Sequence, residues 1–256
     1  MSTGAQKIAR IGLRQRSLAG LVVLLRSIHS LYAGLMFLLL AMFALVVMLL
    51  LPGLRARRAV ARFAGRTALL LAGMPVSAAL PESIPEPCIV VANHESYLDG
   101  IVLCALLPTC FGFVIKREMS RVPVAGLLLA RLGAQFVERG ARGGSTRDAL
   151  RVMREAERGA SLAFFPEGTF RAEAGLMHFH IGAFAAAERA RAHVLPLVIR
   201  GTRHCLPPES ALVRPGRIHV AALALLDPAG GTHDAARLRE AAHAAIADAL
   251  AMPLKP

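Results

Sequence analysis

The hydrophobic pattern along this chain changes twice, and each change predicts a different kind of element. Between Arg26 and Arg55 lie 28 residues without a charge, SIHSLYAGLMFLLLAMFALVVMLLLPGL. Within them, Leu31 to Leu51 is an apolar run of 21 residues with no proline. About 20 such residues suffice for a helix to cross the hydrocarbon of a bilayer. A buried core helix of this length normally keeps a polar face, which is missing here, so a membrane-embedded helix is expected. Its form is left open: one span, or a re-entrant segment with SLAGLVVLL (17–25) as its first arm. A cleaved leader fits less well, because the run is too long and PGLRARR offers no small-residue cleavage site. TALLLAGMPVSAAL (67–80) is expected to be a second membrane-proximal or packing helix, and LPESIPEP (80–87), with its three prolines, a linker.

Past the linker the pattern shortens. CIVVA (88–92), FGFVIK (111–116), AQFVE (134–138), SLAFF (161–165), HVLPLVI (193–199) and RIHVAAL (217–223) read as strands. Several are apolar on both alternations, as in strands covered on both faces. Helices fit between them at 97–107, 123–132, 145–158 and 179–191, and Leu238, Ala242, Ile246 and Leu250 mark one face of a final helix. Alternating strands and helices predict an α/β fold with a mostly parallel mixed sheet flanked by helices. Two regions result: a membrane-anchoring segment, 1–80, and an α/β domain, 81–256.

Charge sharpens the division. The chain carries a formal net charge of +13, which by itself would suggest nucleic acid. Yet residues 1–66 hold ten Lys or Arg and no acidic residue, while the other 190 hold twenty basic and seventeen acidic side chains. The excess therefore surrounds the greasiest segment, where it suits anionic lipid headgroups, and a nucleic-acid partner is not expected. Five basic residues flank the apolar run on each side, so charge asymmetry does not orient it. Four cysteines without metal-type spacing read as apolar packing residues of a reducing compartment, and the α/β domain is expected on the cytoplasmic side.

In parallel α/β folds, ligands sit at the carboxyl ends of strands, and polar residues gather there. CIVVA leads into NHESYLDG, FGFVIK ends in Lys116, AQFVE runs into Arg139, and SLAFF runs into PEGTFR. His94 is suited to general-base work if a carboxylate fixes its tautomer. Asp99, five residues on, can do so only if the chain turns from strand to helix between them; on one continuous helix the two would stand ~140° apart. Ser96-Tyr97-Leu98-Asp99 also matches a capping box, and the residues alone leave both roles open. PEGTFR is either an ordinary turn or a site in which Gly168, Thr169 and Arg171 offer anion-binding groups and Glu167 accepts a hydroxyl hydrogen bond or positions a neighbouring Arg. Lys116 is one of only three lysines against thirty basic residues in total; it is either a compact charge kept for a site or a surface residue. A GxSxG elbow, a P-loop and a GxGxxG loop are all absent. His178 and His180 of MHFH lack the partners for a zinc site, so no metal is expected.

Taken together, these blocks resemble the glycerolipid acyltransferase family, which includes lysophosphatidic acid acyltransferases. His94 to Asp99 resembles its H-x4-D motif, and Lys116-Arg117-Glu118-Met119 its K-x-E-L segment. Pro123, Gly126, Gly133 and FVER up to Arg139 resemble its second block, FPEGT (165–169) its third, and VLPLVI (194–199) its fourth. One departure stands out: the third block usually continues as PEGTR, whereas here Phe170 precedes Arg171. The resemblance implies transfer of a fatty acyl chain from acyl-CoA or an acyl carrier protein to a lysophospholipid hydroxyl, with no cofactor beyond the thioester. It implies His94 as base and Asp99 as its partner, and Arg139, Glu167, Gly168, Thr169 and Arg171 at the acceptor headgroup, with Lys116 assisting. A membrane lipid-binding protein without turnover and an acyltransferase for a non-phosphorylated acceptor are the competing readings.

Overall fold

The computed structural model describes residues 3–138, 144–173, 175–227 and 234–252. Helix α1 (Thr3–Leu50) is continuous, because no proline interrupts it before Pro52. The re-entrant arm considered for 17–25 is therefore not formed. Pro52 and Gly53 (φ 83°) end α1 and reverse the chain into α2 (Leu54–Leu71). Ala44 and Met48 of α1 and Ala61 of α2 are buried together in a small apolar cluster.

The first correction concerns 67–80. Helix α2 stops at Leu71, Gly73 turns the chain at φ 69°, and β1 (Val76–Ala79) enters the sheet. The sheet therefore begins inside the segment assigned to the anchor. Then follow β2 (Cys88–Ala92), α3 (Leu98–Leu106), β3 (Gly112–Lys116), a 3₁₀ turn (Arg117–Arg121), α4 (Ala125–Arg131) and β4 (Gln135–Val137). The second half contains α5 (Gly144–Glu157), β5 (Leu162–Phe164), α6 (Gly182–Ala190), β6 (His193–Arg200), α7 (Thr202–Cys205), β7 (Ile218–Ala222) and α8 (Ala235–Ala251).

The described strands form one sheet in the order β1-β7-β6-β2-β5-β3-β4. Every pairing is parallel except β6 with β7, where Leu197 faces Ala222 and Arg200 faces His219. Strand β2 lies at the centre with all five residues buried. Cys88, Val90 and Ala92 face one layer with Leu98, Val102 and Leu103 of α3 and Leu69 of α2. Ile89 and Val91 face the other, with Val152 of α5, Phe184 of α6 and Leu238, Ala242 and Ile246 of α8. Side chains alternate across a strand, so the uniformly apolar run is what allows β2 to carry helices on both faces.

The second correction concerns the arginines after the apolar run, expected to meet lipid headgroups. Arg58 donates to the carbonyls of Leu132, Thr109 and Cys110 at 3.2, 3.2 and 2.8 Å. Arg62 and Arg66 both donate to Ala105 O, at 3.3 and 2.8 Å. The carbonyls of Ala105 and Leu132 lie at the ends of α3 and α4, where backbone oxygens lack intrahelical partners and cations are favoured, and those of Thr109 and Cys110 in the turn that follows α3. The basic face of α2 thus fastens that helix to the domain. Helix α1 is fastened too. Ser30 Oγ donates to Val213 O at 3.3 Å, and Arg131 donates to Met48 O at 3.0 Å.

Candidate active site

Strands β2 and β5 are parallel neighbours, so their carboxyl ends open side by side. The polar segments after them, 93–99 and 165–170, meet there. Asn93 anchors the first: its amide donates to Ile199 O at 2.9 Å and its oxygen accepts from Ile199 N at 2.7 Å. This two-way bond locks the exit of β2 to β6 and leaves His94 at the turn.

His94 Nδ1 lies 2.9 Å from Asp99 Oδ2. The turn between strand and helix that the pair requires is present, since α3 begins at Leu98. Asp99 is fully buried, and its Oδ2 also accepts from the amides of Glu95 at 2.7 Å and Ser96 at 2.8 Å. The capping role and the histidine contact therefore fall on one oxygen. The other, Oδ1, has no protein partner. With Nδ1–H donating to the carboxylate, Nε2 keeps its lone pair, the arrangement that makes an imidazole a base. Ser96 takes no part in this pairing; its hydroxyl donates to Leu206 O at 2.8 Å and accepts from Leu98 N at 3.3 Å.

Aromatic rings enclose the imidazole. Phe165 stacks on it with centroids 4.2 Å apart, and Phe170 meets it edge-on at 4.7 Å. Phe170 also meets Tyr97 at 4.7 Å. Sequence reasoning noticed Phe170 only as a departure in the third block and gave Phe165 and Tyr97 no role.

Glu167, expected at the acceptor headgroup, is only 2% exposed. Its Oε1 accepts from His94 N at 2.7 Å and its Oε2 from Met177 N at 2.9 Å. Burial, with Glu95 and Asp99 nearby, pushes its pKa up to about 7 against the two amide bonds. Burial and Asp99 likewise raise the pKa of Glu95, with Arg203 and Arg200 opposing. Gly168 follows at φ 78°, a left-handed conformation that glycine adopts without strain, and Thr169 is exposed.

The remaining expected residues stand apart from the histidine. Lys116 ends β3, half exposed and paired with Glu118 at 3.2 Å; no hydrogen bond or ion pair joins it to His94 or Glu167. Arg171 is exposed, and its carbonyl accepts from Arg203 at 3.1 Å. Arg203, which also donates to Ala172 O, pins this loop to α7 and was missed in the sequence. Arg139 lies outside the described residues. Its neighbour Glu138 is held by its amide bond to buried Asp148 at 2.9 Å, and Asp148 in turn receives Arg117 Nη2 at 2.7 and 2.6 Å. Among the described residues, no group of three or more His, Cys, Asp or Glu side chains is placed to hold a metal.

A histidine backed by a buried carboxylate thus stands at the carboxyl ends of a parallel sheet, an arrangement chemically able to take up a proton. Residues 76–200 match the family model described as Acyltransferase, so this segment forms an acyltransferase-family domain. A 1-acyl-sn-glycerol-3-phosphate acyltransferase of Chlamydomonas reinhardtii is 30% identical over 177 residues, 66% of this chain and 51% of that protein. A lyso-ornithine lipid O-acyltransferase of Pseudomonas aeruginosa is 34% identical over 145 residues, 56% of this chain and 55% of that protein. The chain spans about half the length of the curated relatives it matches. The crystal structure of the 1-acyl-sn-glycerophosphate acyltransferase PlsC from Thermotoga maritima superposes with a TM-score of 0.74 at 22% identity. It covers 90% of this chain and 100% of that one, a likeness of fold.

Proposed function

We propose that this protein is an O-acyltransferase that moves a fatty acyl chain from a thioester, acyl-CoA or acyl carrier protein, to the free hydroxyl of a lysophospholipid. The acceptor proposed first is 1-acylglycerol-3-phosphate, giving phosphatidic acid, as the names of several relatives suggest. The observation that carries the reading is the 2.9 Å contact between His94 Nδ1 and buried Asp99. His94 Nε2 takes the hydroxyl proton as the oxygen attacks the thioester carbonyl. Collapse of the tetrahedral intermediate expels the thiolate, which recovers the proton from the imidazolium. Asp99 stabilises that imidazolium while it exists. No acyl-enzyme forms, and the thioester is the only co-substrate.

Gly168, Thr169, Arg171, Lys116 and Arg139 are proposed to surround the acceptor headgroup. A second acceptor class, lipids without a phosphomonoester, is favoured by two observations. Phe170 rather than Arg follows Thr169 and lies against His94, and one relative is named for lyso-ornithine lipid. Incubating the purified protein with mixed lysolipids and both donor types, with products read by mass spectrometry, decides between them. Absence of any acylated product would overturn the proposal.

Membrane association is part of the same reading. Gly20–Leu50 is long and apolar enough to cross a bilayer, and its exposed side chains include Leu24, Leu31, Leu35 and Phe43. Both ends of 30–49 nevertheless bond to the catalytic domain. This helix is thereby proposed as the membrane anchor, held against the domain at both ends of that stretch. The domain then meets the lysophospholipid at the cytoplasmic face without the acceptor leaving the bilayer.

A further inference from the structure

Glu167 fits its expected role poorly. A carboxylate that binds a substrate hydroxyl or headgroup needs a free oxygen facing the substrate. Glu167 is 2% exposed, and each oxygen already accepts a backbone amide. We propose that Glu167 is a positioning residue: it holds His94 through the His94 backbone amide and does not touch the acceptor. This inference rests on the acyl-transfer reading of the site.

The geometry supports it from several directions. The turn that carries Glu167 is closed by Gly168 N donating to Phe165 O at 3.0 Å, and it is joined to the next segment by His180 N donating to Pro166 O at 2.8 Å. Phe165, two residues earlier, stacks on the imidazole. The end of β5 therefore grips His94 twice, by ring face and by backbone, while Asp99 fixes Nδ1. Three constraints define where Nε2 points. Two backbone N–H groups facing one side chain require two acceptors, and an ionised carboxylate is the side chain that offers only acceptors. An amide would turn an NH₂ toward one of the donors. Keeping a charge here runs against burial and against Glu95 and Asp99. A merely structural turn would not need that charge next to the base.

The test uses the full-length protein in detergent micelles, with E167Q beside wild type. Two readouts are taken: kcat and KM for 1-acylglycerol-3-phosphate with acyl-CoA, and the His94 amide proton shift by selective ¹⁵N-histidine labelling, assigned with H94A. Misplacing a catalytic group by about 1 Å costs up to ~10²-fold. E167Q is therefore expected to lower kcat by ~10-fold or more while KM for the acceptor stays within about two-fold, the pattern of an interaction realised in the transition state. The His94 amide proton should move upfield as its carboxylate acceptor is lost. A raised acceptor KM with kcat preserved would assign Glu167 to the headgroup and overturn the proposal, as would an unmoved His94 amide. If E167Q does not fold, the wild-type amide decides: a strongly downfield, exchange-protected His94 proton supports the contact, and an ordinary exchanging one sinks it. Wild type that transfers no acyl group to any acceptor defeats the functional reading instead, and the amide shift still judges the contact separately.

Discussion

Asp99→Asn separates the catalytic pair from the helix cap, because both roles use the same oxygen. In wild type Oδ2 accepts from His94 Nδ1, Glu95 N and Ser96 N, at 2.9, 2.7 and 2.8 Å. An asparagine can place its oxygen there and keep all three bonds, but the acceptor is then neutral. Bonds to a charged acceptor contribute about 1.5–3 kcal/mol, against about 1 for neutral ones, so the two backbone bonds together lose roughly 1–4 kcal/mol of stability. The histidine bond loses more during turnover, since the imidazolium forms beside it. An opposite charge at this range is worth about 1.4–4 kcal/mol to the cation beside it. Placed on the transition state, that is ~10- to 10³-fold in rate. We expect kcat to fall ~10²-fold with KM for the acceptor within about two-fold. The assay follows thiol release from acyl-CoA alongside the melting temperature. A variant with kcat within about three-fold of wild type and a lowered melting temperature would refute the catalytic role and leave only the cap.

His94→Ala should cost at least ~10²-fold in rate with an unchanged circular dichroism spectrum; near-wild-type turnover would sink the mechanism. Glu167 carries a signed pH dependence. Its folded pKa of about 7 lies above the ordinary 4.5, so the folded state binds the extra proton, and this group's contribution to stability falls as pH rises from about 4.5 to about 7. Melting curves of E167Q should lack that component, and identical pH slopes in the two proteins would contradict it. Arg58→Ala removes three bonds to carbonyls and should cost about 3 kcal/mol while binding to anionic vesicles persists; lost vesicle binding without destabilisation would restore the headgroup role. Cys88 and Cys205 are fully buried, with thiols pushed by burial up to about 12 and about 11. Both should resist iodoacetamide in the native protein, as mass spectrometry of the alkylated peptides would show.

Much of this protein can be read from local pattern. Six strands were expected within a residue or so of where they form, because uninterrupted β-branched and apolar runs have few alternatives when bounded by turns. The unbroken apolar run predicted the C-terminal part of α1, and the rule that parallel sheets bind ligands at their carboxyl ends pointed to His94 and Asp99. Strand β1 escaped, because VSAA follows an apolar helix and has a strand's character only when paired with Ile218 to Ala221.

What the tertiary structure decided is which distant groups meet. Glu167 reaches the amide of His94 across 73 residues because β5 is laid beside β2, a choice of strand order that no local period encodes. The same adjacency brings Phe165 and Phe170 onto the imidazole. Helix docking turned Arg58, Arg62 and Arg66 from apparent lipid ligands into clamps on backbone carbonyls, since only packing shows which helix ends are left unsatisfied. Sequence by itself determined most of the elements, the basic N-terminal region with its long apolar run, and the histidine and aspartate that meet. Packing determined how the histidine is held, because a hydrogen bond depends on a few tenths of an ångström between segments that are remote in the chain.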